Sequence, residues 1–302
     1  MRKYILNTIR FGIGVLILFL LFYKIGFLKI YNTLKIINPW FLIPIFFFFL
    51  LSWIISTLNI KILLKPLGYK ISFWKLFRFF WISKTVTLIV PGRIGDFSII
   101  AFLKDKKYNI GKLSAVVFTD KVLTLFFSFL FAIIGFIIFF DWSLVLKVVV
   151  SFALITIIFF LLLTKKSKNF IKKYILRRYA VHMSGFTGTF YDYFKKYKKF
   201  VLIDMFWTVI RILANVISEF FMFLALGNIV GIFFLIIIES IETIIGMLPI
   251  TPEGIGIKQS LGVYLFGLIG IASPIVAARY VIGLLEKYFC GLLSILFVKK
   301  FR

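Results

Sequence analysis

The sequence predicts an all-α protein that crosses the membrane several times, and three observations support this fold class. Of its 302 residues, 62% are hydrophobic and only 16% are charged, whereas a soluble domain carries about 25% charged residues. Apolar runs of membrane-spanning length recur along the chain. The basic residues are concentrated between those runs. We therefore expect one integral membrane domain over residues 1–302, located in the cell membrane as a multi-pass protein.

Six apolar stretches are long enough to cross the hydrocarbon core, which requires about 20 helical residues. The expected full transmembrane helices are residues 5–22, 40–64, 113–140, 142–163, 200–226 and 274–298.

Two further apolar stretches, residues 77–103 and 230–270, are interrupted in the middle. The first contains Pro91-Gly-Arg-Ile-Gly-Asp96, and the second contains Pro249-Ile-Thr-Pro-Glu-Gly-Ile-Gly256. Because proline and paired glycines break helices, we expect each stretch to form a re-entrant hairpin of two helical arms joined by a non-helical apex. Such backbone is stable at membrane depth only inside protein or beside water. The alternative is a loop at the membrane surface.

The basic residues predict the topology. Residues 165–199 contain eleven Lys or Arg and one acid, Asp192, and such an excess is typical of cytoplasmic loops. With this loop inside, both termini are cytoplasmic. Residues 23–39 are then external, although they contain three lysines.

This layout predicts an inverted repeat, because residues 40–140 and 200–298 each run span, hairpin, span and enter the membrane in opposite senses. Pro91-Gly-Arg-Ile-Gly resembles Pro252-Glu-Gly-Ile-Gly, and Ser114 precedes Asp120 by the same interval as Ser273 precedes Arg279. A substrate site would then lie between the two halves near the bilayer midplane.

The basic loop, residues 164–199, contains phenylalanines at a helical spacing, Phe186, Phe190 and Phe194, followed by four lysines. This pattern predicts an amphipathic helix on anionic lipids of the inner leaflet. A solvated linker is the alternative.

Acidic residues are scarce, and several lie in apolar segments, where a charge costs about 2.5–3.5 kcal/mol at the helix centre. We expect them to form ion pairs. Helical spacing suggests Arg211 with Glu219 or Asp204, and Arg279 with Glu286. Such pairs could belong to a binding site or could simply lock helices together.

The two apexes are the strongest candidates for a binding site. Glycine N–H groups next to Arg93 and Asp96 could hold a phosphate, to which an arginine offers two parallel hydrogen bonds. Asp96 could alternatively cap the helix that follows. In the second apex, Glu253 and Lys258 flank Gly254 and Gly256.

Other chemistry is excluded by composition and motifs. One cysteine and one histidine cannot form a metal cluster, and we expect no metal and no cofactor. The basic residues are dispersed between spans, so nucleic acid is not an expected partner. The common phosphate-loop, serine-hydrolase and dinucleotide motifs are absent. We therefore do not expect an enzyme.

The two apex motifs, in this order on this hydropathy profile, resemble the flippase-like transmembrane domain of lysylphosphatidylglycerol synthases and of the UPF0104 membrane proteins. The match extends over nearly the whole chain. Lys121 stands where the family more often has arginine, and a basic residue that often follows the first motif is missing from residues 97–103. The headgroup-binding residues that motif and spacing suggest are Gly92, Arg93, Gly95, Asp96, Asp120, Lys121, Glu253, Gly254, Gly256, Lys258 and Arg279.

The resemblance implies movement of a lipid or lipid-linked carrier between leaflets, with a phospholipid or glycolipid headgroup as substrate. Two alternatives are a membrane-embedded transferase acting on a polyprenyl-phosphate carrier, with Asp96 or Glu253 as base, and an accessory membrane protein without turnover. Homo-oligomerisation is left open.

The topology can be tested by cysteine labelling. We expect Ser167→Cys in a Cys290→Ala background to resist an impermeant maleimide in intact cells and to react after lysis, because residue 167 lies in the basic loop. Labelling of intact cells would invert the topology.

Overall fold

The computed structural model describes residues 2–90, 94–104, 109–143, 145–147, 149–150, 185–248 and 250–298. Within these ranges the secondary structure is helical and no strand occurs. The helices are α1 (Arg2–Ile25), α2 (Phe27–Lys35), α3 (Leu42–Leu64), α4 (Phe73–Thr87), α5 (Ile99–Leu103), α6 (Ile110–Phe139), α7 (Phe186–Lys195), α8 (Lys198–Ala225), α9 (Ile232–Gly246), α10 (Ile257–Leu268) and α11 (Ser273–Val298).

Four of the described helical segments are long and apolar enough to cross a membrane. They are Thr8–Ile25, Pro39–Leu67, Ile110–Phe139 and Lys198–Ala225. Helix α11 has 26 residues, but it is not among these four segments. Most of the predicted span at residues 142–163 lies outside the described residues. The all-helical membrane fold is therefore confirmed, whereas the count of six full spans stays a prediction.

Both interrupted stretches leave the α-helical conformation near their Pro/Gly motifs. Helix α4 ends at Thr87, and a short 3-10 helix, Ile94–Ser98, leads into α5. Residues 91–93, which include Gly92 and Arg93, lie outside the described residues. In the second stretch, ten residues separate α9 from α10. Gly95 and the Gly254–Gly256 turn are buried, whereas Ile250 of the second motif is 49% exposed.

Two helix pairs hold the fold together. The most extensive pairing joins α3 to α8, where Asn59 Nδ2 donates to Thr208 Oγ1 at 2.9 Å and Ser218 Oγ donates to the Ile45 carbonyl at 3.0 Å. The second joins α6 to α9. Gly135 lets these helices approach closely, because a Cβ there would lie 2.2 Å from Ile237 Cγ2. Small residues and interhelical hydrogen bonds are the usual means of helix association in lipid.

Large apolar side chains lie both in the core and on the outer surface of the helices. Leu28 (71% exposed) and Phe206 (61% exposed) illustrate the outer ones, whereas the charged Asp120 and Glu242 are each 2% exposed. Helix α1 is the most exposed of the four candidate spans, since only 6% of its Thr8–Ile25 segment is buried. This distribution fits lipid as the surrounding solvent, with the polar groups gathered between the helices.

The predicted amphipathic helix in the basic loop is present as α7, and its aromatic face is covered by protein. Phe190 and Tyr193 are fully buried, and the ring of Phe118 on α6 contacts Phe186 and Phe190 at 5.5 Å between centroids. Tyr193 Oη donates to the Leu63 carbonyl at 2.5 Å. Burial raises the pKa of the Tyr193 phenol, which keeps it a neutral donor. The expected contact of this face with lipid is thus replaced by packing on α6 and α8.

The first apex provides a test of the packing. A Cβ at Gly95 would lie 2.5 Å from Thr87 Cα, and backbone cannot yield as a flexible side chain can. We expect Gly95→Ala to destabilise the protein by about 1–3 kcal/mol, measured as thermal unfolding in detergent. The matched control is Gly12→Ala in α1, where no atom lies within 4 Å of the added Cβ. Equal unfolding temperatures for the two variants would contradict the close approach.

Candidate functional site

A cavity of about 210 Å³ lies between the helices of both predicted repeat units. Its wall is formed by α3, α4, α6, α8, α9, α10 and α11 and by the second apex. The basic side chains that line it are Lys84, Lys121, Arg211, Lys258, Arg279 and Lys287. The acidic ones are Glu219, Glu239, Glu242, Glu253 and Glu286. Eleven charged side chains around a space of this size make it the principal candidate site among the described residues.

The first charge network is built on Asp96, just after the first apex. Lys84 Nζ lies 2.8 Å from Asp96 Oδ1, and Lys121 Nζ lies 2.8 Å from Oδ2. Thr87 Oγ1 also donates to Oδ1 at 3.0 Å. Asp96 therefore does not cap a helix: it lies inside the 3-10 helix and its carboxylate joins α4 to α6.

The same network continues to Asp120 and Arg211. Lys121 Nζ is 3.5 Å from Asp120 Oδ2, so this lysine bridges Asp96 and Asp120. Arg211 Nη1 lies 3.1 Å from Asp120 Oδ1, and its Nη2 donates to Thr124 Oγ1 at 2.5 Å. Asp120 itself is 2% exposed and lies behind the cavity wall, whereas its two basic partners line the cavity.

The second charge network is built on Arg279 of α11. Its guanidinium pairs with Glu219 of α8 and lies 3.8 Å from Glu242 Oε2 of α9. Tyr280 Oη donates to Glu242 Oε1, and Lys258 Nζ is 3.9 Å from Glu242 Oε2. The guanidinium also lies over the Tyr280 ring, 4.4 Å from its centroid, a favourable cation–π position.

The second apex brings a strained residue to the cavity. Glu253 has φ +47°, the only described residue other than glycine with a positive φ, and such backbone costs about 1–3 kcal/mol. Its Oε2 accepts from Lys287 Nζ of α11 at 2.9 Å. Gly256 follows with φ +83°, and a Cβ there would lie 2.5 Å from the Gly14 carbonyl of α1. The turn thus presents a carboxylate to the cavity while its back packs against α1.

The arginine partners differ from those expected from helical spacing. Arg211 pairs with Asp120 rather than with Glu219 or Asp204, and Arg279 pairs with Glu219 rather than with Glu286. The proposed partners lie seven or eight residues away on the same helix, which is about 10–12 Å along the axis. Side chains of neighbouring helices are closer. Glu286 makes no ion pair with a described residue, and its Oε1 is buried without a hydrogen-bond partner.

The structure brings most of the predicted site residues to one place. Asp96, Asp120 and Lys121 share the first network, and Lys258 and Arg279 share the second. Gly254 and Gly256 shape the turn that holds Glu253. Gly92 and Arg93 lie outside the described residues, so the structure does not place them.

Three contributors were not anticipated from the sequence: Lys84, Tyr280 and Lys287. Lys84 and Lys287 could have been identified from the sequence, because each is a cation inside an apolar stretch, where a charge has a high free-energy cost unless it is paired. Nothing comparable in the sequence distinguishes Tyr280 from the other tyrosines.

The charges around the cavity nearly cancel. Six basic and five acidic side chains line it, and Asp96 and Asp120 hold three of those basic residues, Lys84, Lys121 and Arg211, from behind. An anion that enters the cavity must therefore either displace a carboxylate from its basic partner or bind to that basic residue alongside the carboxylate. Ten neutral hydrogen-bonding side chains complete the wall: Ser52, Ser56, Thr85, Thr124, Ser128, Asn215, Ser218, Ser240, Thr243 and Gln259.

The second network can be tested by charge-balanced substitution. Arg279→Gln leaves Glu219 without its basic partner, and removal of one member of a buried pair costs about 3–5 kcal/mol. We expect a lower unfolding temperature for Arg279→Gln and substantial recovery in Arg279→Gln/Glu219→Gln. If the double variant is no more stable than the single one, the ion pair is not the stabilising interaction.

The comparisons with known proteins identify the family of the chain. A family model described as the lysylphosphatidylglycerol synthase TM region matches residues 7–294. The chain is also 25% identical over 320 aligned positions to the UPF0104 membrane protein MJ1595 of Methanocaldococcus jannaschii, covering 97% of this chain and 95% of that protein. The match contains both apexes, both charge networks and every helix that lines the cavity. The chain therefore belongs to the lysylphosphatidylglycerol synthase transmembrane-region family of membrane proteins.

Proposed function

We propose that this protein moves the headgroup of a phospholipid or lipid-linked molecule between the leaflets of the membrane. The observation that carries the proposal is the cavity: charged, nearly neutral as a whole, and enclosed by helices whose outer faces are apolar. Buried charges that only hold helices together do not require a cavity next to them. In this protein, eleven charged side chains line the same cavity.

The size of the cavity favours a headgroup over a whole lipid. Its 210 Å³ corresponds to roughly seven water molecules at about 30 Å³ each. That volume accommodates a phosphate with a small polar substituent, and the acyl chains would remain in the surrounding lipid. The numerous hydroxyl and amide side chains suit a headgroup that carries hydroxyl groups beside its phosphate.

The basic residues provide candidates for phosphate binding. Arg279 offers a planar guanidinium capable of two parallel hydrogen bonds, and it is held by Glu219 and Glu242. A phosphate could replace Glu219, which would return to Arg279 as the lipid leaves. Lys84 and Lys121 face the cavity beside the first apex and could steer the anion. We include Arg93 among the proposed phosphate-binding residues because it lies in the Pro91–Asp96 motif.

The predicted inverted repeat supplies a route for movement. The order helix, break, short helix, long helix occurs in α4 to α6 and again in α9 to α11. The long helix of each set places one charged residue, Asp120 or Arg279, against α8. We propose that both breaks are re-entrant, that both termini are cytoplasmic, and that the halves rock about α8 to open the cavity to either leaflet. Anionic inner-leaflet lipids would contact the basic loop.

The transferase alternative requires a carboxylate free to accept a proton. Asp96 is already held by Lys84, Lys121 and Thr87, and Glu253 is held by Lys287. The two bases that the sequence suggested for a transferase are therefore both engaged by basic partners.

Reconstitution tests the proposal. Vesicles containing the purified protein and a lipid with a fluorescent headgroup are treated with an impermeant quencher, and the rate of leaflet exchange is measured. We expect Arg279→Gln/Glu219→Gln to fold and to lose about tenfold or more of this rate, since hydrogen bonds to charged groups contribute about 1.5–3 kcal/mol.

The matched control removes an ion pair away from the cavity. Lys196→Gln/Asp192→Asn deletes an exposed pair at the end of α7, and we expect its exchange rate to equal that of the wild type. Arg279→Lys should rescue poorly, because a point charge does not reproduce the planar fork. Wild-type exchange by the folded cavity variant would refute the transport site. Transfer of sugar from a lipid-linked donor would favour the enzyme.

A further inference from the structure

Asp204 in α8 is a buried carboxyl group that neither charge network uses. Its exposed fraction is 0%, and among the described residues no basic side chain bonds to its oxygens; the Thr208 hydroxyl of the same helix is the neighbouring donor. It does not line the cavity. An ionised carboxylate in this position would carry a large desolvation cost, so its charge requires compensation.

The nearest polar groups on α3 and α8 offer Asp204 one neutral donor. Asn59 is 0% exposed and donates through Nδ2 to Thr208 Oγ1 at 2.9 Å, while its Oδ1 has no partner. Thr208 lies one helical turn after Asp204, on the same face of α8, and its own hydroxyl hydrogen is available to Asp204. A single hydroxyl does not compensate a full negative charge, and Asn59 Oδ1 still lacks a hydrogen.

The charged neighbours are committed elsewhere. From α6, Asp120 and Lys121 act on Asp204 electrostatically, as does Arg211 from α8, but Arg211 is bonded to Asp120 and Thr124 and Lys121 bridges two other carboxylates. From α7, Tyr193 gives its hydroxyl hydrogen to the Leu63 carbonyl. Helix α3 contributes the neutral Asn59.

We propose that Asp204 is a proton-binding site, neutral in this conformation, and that its carboxylic acid donates a hydrogen bond to Asn59 Oδ1. One proton satisfies both groups, because it neutralises the carboxylate and supplies the missing donor. A metal cation would need space beside the oxygens, and the cavity does not reach them. The proton comes from water and returns to water, so no other reactant is needed.

The position of Asp204 couples this proton to the cavity. Once ionised, Asp204 would repel Asp120 and attract Arg211, which lines the cavity. Proton release is therefore favoured when Arg211 leaves Asp120, and proton binding is favoured when that pair forms. The proton site stands independently of lipid transport, and only its use as a coupling ion rests on the proposed function.

Infrared spectroscopy tests the site without a transport assay. A protonated carboxylic acid has a carbonyl stretch that an ionised carboxylate lacks. We expect Asp204→Asn, which is close in shape to the neutral acid, to retain the wild-type unfolding temperature at neutral pH and to lose one such band. The control, Asp192→Asn, removes a carboxylate paired with Lys196 on the surface, and we expect it to keep the band.

Isotope labelling covers the case in which Asp204→Asn does not fold. Wild-type protein grown with ¹³C-labelled aspartate should show the band at a shifted frequency, whereas an ionised Asp204 accepting a hydrogen bond from a reoriented Asn59 amide predicts no aspartic acid band. Absence of the band in labelled wild-type protein, or its persistence in Asp204→Asn, would overturn the proton site.

A second variant tests the link to Arg211. Asp120→Asn leaves the guanidinium uncompensated, which favours the ionised form of Asp204, so we expect the band to weaken or vanish. An unchanged band would overturn the coupling. If the band behaves as expected and the reconstituted wild-type protein exchanges no lipid, the proposed function fails while the proton site stands.

Discussion

A charge enclosed by helices in a membrane must be paired within the protein, and this constraint organises the structure around α8. That helix carries Arg211 and Glu219 about two turns apart. Arg211 neutralises Asp120 from α6, and Glu219 neutralises Arg279 from α11. Because water and lipid cannot replace these partners, the positions of α6 and α11 relative to α8 are fixed by electrostatics as well as by packing.

Near-neutrality also explains how so polar a cavity can exist in a small membrane domain. A single uncompensated buried charge would be costly, but a network shares each carboxylate between two cations, as Asp96 does with Lys84 and Lys121. Such a network is weak evidence for stability, since buried pairs often do little better than apolar replacements. Its position beside an open space is what the proposed exchange of partners with an anionic ligand requires.

The two breaks in the helical backbone also bring charged side chains to the cavity. At the first apex, the absence of a side chain on Gly95 lets the chain return against Thr87 and places Asp96 between two lysines. At the second, left-handed backbone at Glu253 and Gly256 turns a carboxylate inward. In both cases an irregular segment is stable because its polar groups are enclosed by neighbouring helices, and the same irregularity brings charge to the cavity.

The sequence alone determined that this protein lies in a membrane, its helical class, the two helix breaks and most of the charged residues that line the cavity, because hydropathy, proline, glycine and isolated charges act locally. Helical spacing could not identify the ion pairs: the partners of Arg211 and Arg279 come from other helices, and only the packing of α6, α9 and α11 on α8 decides which carboxylate is nearest. Tertiary structure likewise decided that α7 packs its aromatic face on protein, and that Asp204, one acid among several in the sequence, is buried without a basic partner.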